Sequence, residues 1–363
     1  MSDLSALVRQ LVAIDSVNPT LVPGGAGEAE IGRFAAGWLA ERGVDVEVEE
    51  LEPGRINVVG RVRGTGGGRV LLLNGHLDTV GLGGPDGALS PRVAGSRLYG
   101  RGSYDMKGSL AALMTVAAEA VGVGLAGDLV LTLVADEEAL SIGSERIAKT
   151  IRADAAIVAE PTDMRLAIAH RGFVWLDVET RGVAAHGSRY DLGVDAITAM
   201  GPVLSALAEL DARLEAGGER HPLVGRPSLH ASLIEGGTEL STYPDRCVVK
   251  VERRTVPGET LAAVEEELRA VSEEAAVRSF FSREPLETPR DSPVVELLAR
   301  HAAAELVGMP FWTDAALFAA AGIPAVLFGP GGAGAHADEE WVDLGDVART
   351  ADILLAVTRE FCA

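Results

Sequence analysis

His76 and Asp78 sit two residues apart in Leu71-Leu72-Leu73-Asn74-Gly75-His76-Leu77-Asp78-Thr79-Val80. An imidazole that binds a metal commonly gives its second ring N–H to a carboxylate, which fixes the tautomer. His76 as ligand and Asp78 as its orienter fit that pattern. A strand-end histidine followed by a turn-forming aspartate is the plainer alternative, and this pair alone does not decide. Further along come Asp105 in Gly100-Arg101-Gly102-Ser103-Tyr104-Asp105-Met106-Lys107-Gly108, the acids Asp136-Glu137-Glu138, Glu160-Pro161 and Ala335-His336. Two imidazoles and three carboxylates (His76, His336, Asp105, Glu138 and Glu160) suit two zinc-like ions. If one carboxylate is shared, each ion keeps one histidine and one terminal carboxylate. Paired sites of this kind, ~3.5–4 Å apart, activate a water and polarise an oxygen. Glu137 is then left beside a ligand without being needed as one, which is the position of a general base.

All but one of these residues follow an apolar run. Val70 to Leu73, Leu129 to Val134, Ala155 to Ala159 and Ala325 to Phe328 read as buried strands. Open α/β sheets bind ligands in the crevice at the C-terminal ends of such strands. Asp105 instead lies at or near the start of an Ala- and Leu-rich helix expected over 109–121. Asp is a good N-cap, but a cap does not account for the glycines before it, which let backbone come close to something.

Helices are also expected over 3–14, over 27–42 with Gly43 as a stop, and over 294–306. Strands are expected over 44–48 and 56–62, a hairpin-type loop over 64–68 and a longer loop over 81–97. From Gly172 to Gly182 the pattern alternates, as in a half-exposed strand. A helix over 194–214, kinked or split by Gly201-Pro202, follows. Strands over 229–234 and 247–251 and a helix over 261–271 complete a small α+β sandwich. The expected fold is α/β: a metal-binding domain with a mostly parallel central sheet flanked by helices, in two parts, 1–174 and 286–363. The α+β domain, 175–285, is inserted between them.

A chain of 363 residues suits two domains. Hydrophobic content of 47% and charged content of 23% are normal for a globular protein. A net charge of -21 argues against nucleic acid or an anionic membrane as partner. Cys247 and Cys362 form neither a disulfide framework nor a CxxC zinc signature. Met1-Ser2-Asp3-Leu4 lacks a basic n-region and an apolar h-region, and no apolar run reaches the ~18 residues of a membrane span. A cytoplasmic protein is the expectation.

Six ordered segments resemble the motifs of the two-zinc M20 metallopeptidases, the family that contains aminoacylases. They are Gly75-His76-Leu77-Asp78-Thr79-Val80, Gly100-Arg101-Gly102 through Asp105-Met106-Lys107-Gly108, Asp136-Glu137-Glu138, Glu160-Pro161-Thr162, His186-Gly187 and Ala335-His336. Within the family the chain is most similar to the acetylornithine deacetylase / succinyl-diaminopimelate desuccinylase branch, and the resemblance covers nearly the whole chain. It implies two Zn2+ ions, with Co2+ as a substitute. His76 would bind one and His336 the other, Asp105 would bridge, and Glu138 and Glu160 would be the terminal carboxylates. Glu137 would be the general base and Asp78 the orienter of His76. Members related to aminopeptidases often carry Asp where this chain has Glu160, so Glu160 leans towards a deacylase or carboxypeptidase.

The resemblance also makes the inserted domain a lid that dimerises. His186, in Ala184-Ala185-His186-Gly187-Ser188, would reach the partner subunit's active site. Arg254, in Glu252-Arg253-Arg254 through Pro257-Gly258, would clamp the substrate carboxylate, for which Arg is the natural bidentate partner; a surface strand charge is an equal alternative. One departure concerns Ser241-Thr242-Tyr243-Pro244-Asp245, where relatives commonly place an Asn ahead of the Pro-Asp pair. A hydroxyl offers one donor where an amide offers two, which leaves the substrate open. His170, His221, His230 and His301 have no such acidic company and read as ordinary residues. The implied activity is a di-zinc amidohydrolase of an N-acyl amino acid such as N-acetylornithine, working as a homodimer. A dipeptidase or carboxypeptidase on the same scaffold, acting on a dipeptide, is the enzymatic alternative. A non-catalytic metal-binding protein that retains the fold is the other, although no site residue is missing.

Overall fold

The computed structural model describes residues 2–83, 87–218, 220–272 and 275–363. Residues 84–86 of the expected 81–97 loop lie outside them. The chain forms two units. The first comprises Met1–Ile168, Thr288–Val307 and Thr313–Ala363; the second comprises Ala169–Glu287 and Gly308–Trp312. The second is wider than 175–285 at both ends.

In the first unit, the strands Leu71–His76, Leu129–Val134, Ala155–Val158 and Ala325–Leu327 are buried at every residue. Parallel strands covered on both faces read as continuous apolar runs, which is why they were visible in the sequence. Leu71–His76 lies between two parallel neighbours. His76 stands opposite Val134 on one side, and Asn74 opposite Val158 on the other. Ala325–Leu327 continues the parallel set beside Ala155–Val158 and borders the antiparallel strand Leu166–His170 on its far side. On the other flank the pairing is also antiparallel, from Leu129–Val134 to Arg55–Val62 and then to Asp45–Glu52. The sheet is mixed, with a parallel centre. Neighbouring strands run ~4.8 Å apart, so residues just past the ends of the central strands converge on one edge.

Gly64 to Gly68 does not make a hairpin. Leu129–Val134, buried on both faces, inserts between the strands on either side of that loop, so the loop is a crossover. Thr65 and Gly66 donate to the carbonyls of Leu125 and Ala126 instead. Part of the expected 81–97 loop forms the short strands Arg92–Ala94 and Arg97–Tyr99, the latter paired with Trp341–Asp343. The helix Gly108–Ala120 is buried along most of its length and packs on a C-terminal helix, Leu344–Phe361. Asp343 caps that helix by accepting the N–H groups of Gly345 and Asp346.

The second unit has an antiparallel sheet in the order Ser228–Gly236, Arg246–Thr255, Gly172–Arg181, Ala276–Arg283. Its core joins Val174, Leu176, Val178, Val249 and Val251 of the sheet to Met200, Leu207, Val264 and Leu268 of two helices. The first of these helices, Ala196–Ala216, runs through Pro202 without a break. Proline there forfeits one ladder hydrogen bond, and the buried face on either side holds the helix together. The strand Ser228–Gly236 is an edge. It is exposed from His230 onward, with Leu233 and Ile234 exposed at 59% and 56%. Among the described residues, no helix is long and apolar enough to cross a membrane.

Candidate metal centre

His76 ends the central strand with its side chain almost fully buried. Its Nδ1 lies 2.9 Å from the backbone carbonyl of Asp78. A carbonyl only accepts, so the ring proton sits on Nδ1 and Nε2 is turned towards Asp105, 3.0 Å from Oδ1. The Asp78 carboxylate is 3.6 Å from the ring, too far for a hydrogen bond. Asp78 thus orients His76 through its main chain. Its carboxylate instead accepts the backbone N–H groups of Glu137 and Glu138, both at 3.2 Å, and so holds the segment that follows the neighbouring strand.

His336 comes from the loop after the last parallel strand. Its Nε2 is 3.0 Å from Glu138 Oε2 and 3.4 Å from Asp105 Oδ2. Asp105 therefore offers one oxygen to each imidazole. A ring nitrogen of His76 and carboxylate oxygens of Glu137 and Glu160 lie within 4.8 Å of one another, as do those of His76, Asp105 and Glu138. The four strand-end groups, Asp105 and Glu137 form one cluster in the first unit.

The charges in this cluster are not balanced. Burial, reinforced by the carboxylates of Glu160 and Asp314, pushes Glu137 well above the usual range. Burial does the same to Glu160; His76 offsets part of this, and Asp105, Asp314 and Glu138 add to it. Asp314, buried alongside, is pushed up to about 6. The carboxylates of Asp105 and Glu138 raise His336 to about 10. Against its own burial, the two imidazoles hold Asp105 well below the carboxylate range. Glu138 Oε1 and Glu160 Oε1 are buried with no hydrogen-bond partner. Buried oxygens without donors are costly, and cations would satisfy them. The donor set of imidazole and carboxylate suits zinc. His76 with Glu137 and Glu160, and His76 with Asp105 and Glu138, bring donor atoms close enough to hold an ion, and His336 meets Asp105 and Glu138 as well.

Behind the cluster lies a buried polar chain that no local sequence pattern marks. Asn18 gives both carboxamide hydrogens to acids, one to Asp78 at 2.7 Å and one to Asp136 at 2.9 Å. Arg55 donates to Asp136 at 2.7 Å and grips Glu28 through two bonds of 2.7 and 2.8 Å. Asp136 itself is left-handed, with φ 70. The pairing of Arg55 is nearly solvent-free, so we predict that Arg55→Met will cost about 3–5 kcal/mol by leaving two buried carboxylates without their cation. Urea unfolding measures this, and wild-type stability in the variant would show that the chain is not a stabilising element.

His186 and Arg254 belong to the second unit. His186 is exposed, and its Nδ1 accepts the N–H of Ser188 at 3.2 Å, with the Ser188 hydroxyl 2.8 Å away. An accepting Nδ1 places the ring proton on Nε2. Arg254 is half-buried. Its Nε donates to Glu252 at 2.6 Å, and its guanidinium lies 5.4 Å from the Phe173 ring centre.

The model of peptidase family M20/M25/M40 matches residues 72–360. The acetylornithine deacetylase of Myxococcus xanthus is 30% identical over 382 residues, covering 99% of this chain and 97% of that protein. Among solved structures, an aminopeptidase of Bacillus cereus aligns with a TM-score of 0.80 at 20% identity, covering 100% of this chain and 99% of that one. A dinuclear metal-binding peptidase of the M20 family from Bacillus subtilis gives 0.77 at 16% identity, covering 99% and 98%.

Proposed function

We propose, from the premise that the chain belongs to peptidase family M20/M25/M40, that this amide-bond hydrolase removes the acyl group from an N-acyl amino acid such as N-acetylornithine. The observation that carries the reading is the cluster of His76, Glu137, Glu138, Glu160 and His336, past the ends of the parallel strands, with Asp105 just before the helix Gly108–Ala120. The end-to-end likeness to an acetylornithine deacetylase supports the choice of substrate. Two zinc ions, or cobalt in their place, would be held one by His76, Asp105 and Glu160 and the other by His336, Asp105 and Glu138, and when bound they would activate a water and polarise the scissile carbonyl.

Glu137 takes a proton from the attacking water and returns it to the leaving nitrogen. The carboxylate of Asp78, by accepting the N–H of Glu137, fixes where that base stands. Arg254 pairs with the substrate carboxylate, exchanging part of its contact with Glu252. A panel of N-acyl amino acids against dipeptides tests the reading. Faster cleavage of dipeptides than of every N-acyl amino acid would replace it with a dipeptidase.

The exposed edge Ser228–Gly236, with Leu233 and Ile234 on it, supports a homodimer through the second unit, since an open strand edge is a template for pairing. In that dimer His186 serves the partner subunit's site, its Nε2–H stabilising the developing oxyanion. His186→Ala and Glu137→Ala proteins should each be nearly inactive alone. If subunits exchange freely, half the dimers of an equal mixture are hybrids with one complete site, so activity should return to roughly a quarter of wild type. No recovery despite demonstrated exchange would mean that His186 acts within its own chain or not at all.

A further inference from the structure

Glu340 belongs to none of the motifs above. It follows His336 on the same loop, and its side chain is 2% exposed. One carboxylate oxygen accepts the backbone N–H groups of Tyr104 at 2.9 Å and Asp105 at 3.0 Å. The other accepts the N–H of Gly102 at 2.9 Å and Nη1 of Arg101 at 2.8 Å. Arg101, equally buried, sends Nη2 to the carbonyl of Ala337 at 2.8 Å. Three main-chain N–H groups and a guanidinium converge on a group that only accepts, so the position is made for a carboxylate and not for an amide. Gly102 is left-handed, with φ 74, and a Cβ there would meet Thr79 Cγ2 at 2.6 Å. The turn can present its N–H groups to Glu340 only with glycine at that place.

The geometry points to Arg101 and Glu340 as positioning residues of the metal centre. They lock the backbone of Asp105 to the loop that carries His336. Neither side chain reaches the reacting atoms. What sets the pair apart from an ordinary buried ion pair is its placement. One of its bonds is to the N–H of Asp105 itself, and another is to the residue next to His336. The ion assigned to His336, Glu138 and Asp105 therefore depends on the clamp for the placement of two of its ligands. The ion assigned to His76 and Glu160 takes both of those ligands from the ends of sheet strands and shares only Asp105. This inference rests on the two-metal reading above.

The test is a cobalt titration of metal-depleted protein, followed by calorimetry and by the visible absorption of bound Co2+. It compares wild type with Glu340→Gln, Glu340→Asp and the double variant Arg101→Gln/Glu340→Gln. Wild type should take up two ions. Glu340→Gln turns an amide donor towards N–H donors and should weaken the second ion about 10–100-fold, alter its absorption and leave the first ion much less affected. The double variant removes the unpaired buried guanidinium, so it reports on the clamp even if the single variant fails to fold, and the same selective loss is expected. Glu340→Asp, which keeps the charge, should recover part of the affinity. Two wild-type affinities and spectra in the folded variants would overturn the clamp and leave the two-metal reading standing. Equal weakening of both ions would reduce the pair to a structural role and overturn it too. A wild type that binds fewer than two ions would overturn both.

Discussion

Glu137→Ala is expected to lower kcat by about 10²–10⁴-fold, the usual worth of a positioned acid–base group, while metal content stays near wild type. The argument rests on placement. Glu137 is adjacent to Glu138, its N–H is fixed by Asp78, and burial among other acids raises its affinity for a proton. A carboxylate held at that place can accept a proton from water and deliver it again to the leaving amine. Its carboxylate also lies within 4.8 Å of His76 and Glu160, so a ligand role is geometrically open to it. Metal analysis of the variant separates the two roles. Loss of metal together with activity would make Glu137 a ligand and remove it as the base.

Metal removal should have an effect at least as large. Chelation is expected to abolish hydrolysis, and zinc or cobalt to restore it, because the cluster gathers carboxylates that burial and mutual repulsion push upward in pKa and leaves two of their oxygens without donors. The same imbalance predicts a stability effect. Ions that bind only the folded chain stabilise it by about 4 kcal/mol at roughly a thousandfold excess over Kd, so the chelated protein should melt well below the loaded one. Undiminished turnover by metal-free protein would end the metallohydrolase reading.

The parts of this arrangement that could be read from sequence share one property: their signal is local. His76, Glu138, Glu160 and His336 each follow a run of apolar residues, and a strand end is a position that periodicity can find. The contacts that could not be read join residues far apart. Asn18 meets Asp136 across 118 positions and Glu340 meets Asp105 across 235, with no spacing rule to link them. Asp78 shows a subtler limit. Its nearness to His76 was legible, but the choice between its carbonyl and its carboxylate as the ring's partner is made by the local backbone path. The 64–68 loop misled for a related reason, since adjacency in sequence does not reveal a third strand inserted between two others. The second unit's strands Gly172–Arg181 and Arg246–Thr255 and its two helices are plain because each shows one covered face, whereas Ser228–Gly236 is exposed over most of its length and the edge strand Ala276–Arg283 is not among the expected strands.

The strand Ala325–Leu327 has a consequence for how the molecule is made. It borders Ala155–Val158 on one side and Leu166–His170 on the other, yet it leaves the ribosome well after both of them. Until then those two earlier strands have open edges, which are sites for wrong pairing, and the nascent chain holds only His76 of the two ligand histidines. Assembly in this order predicts late metal uptake during synthesis. Stalled chains ending before residue 325 should retain little zinc and be readily cleaved by protease. Protection of such chains equal to that of the full protein would show that the sheet closes without its last parallel strand.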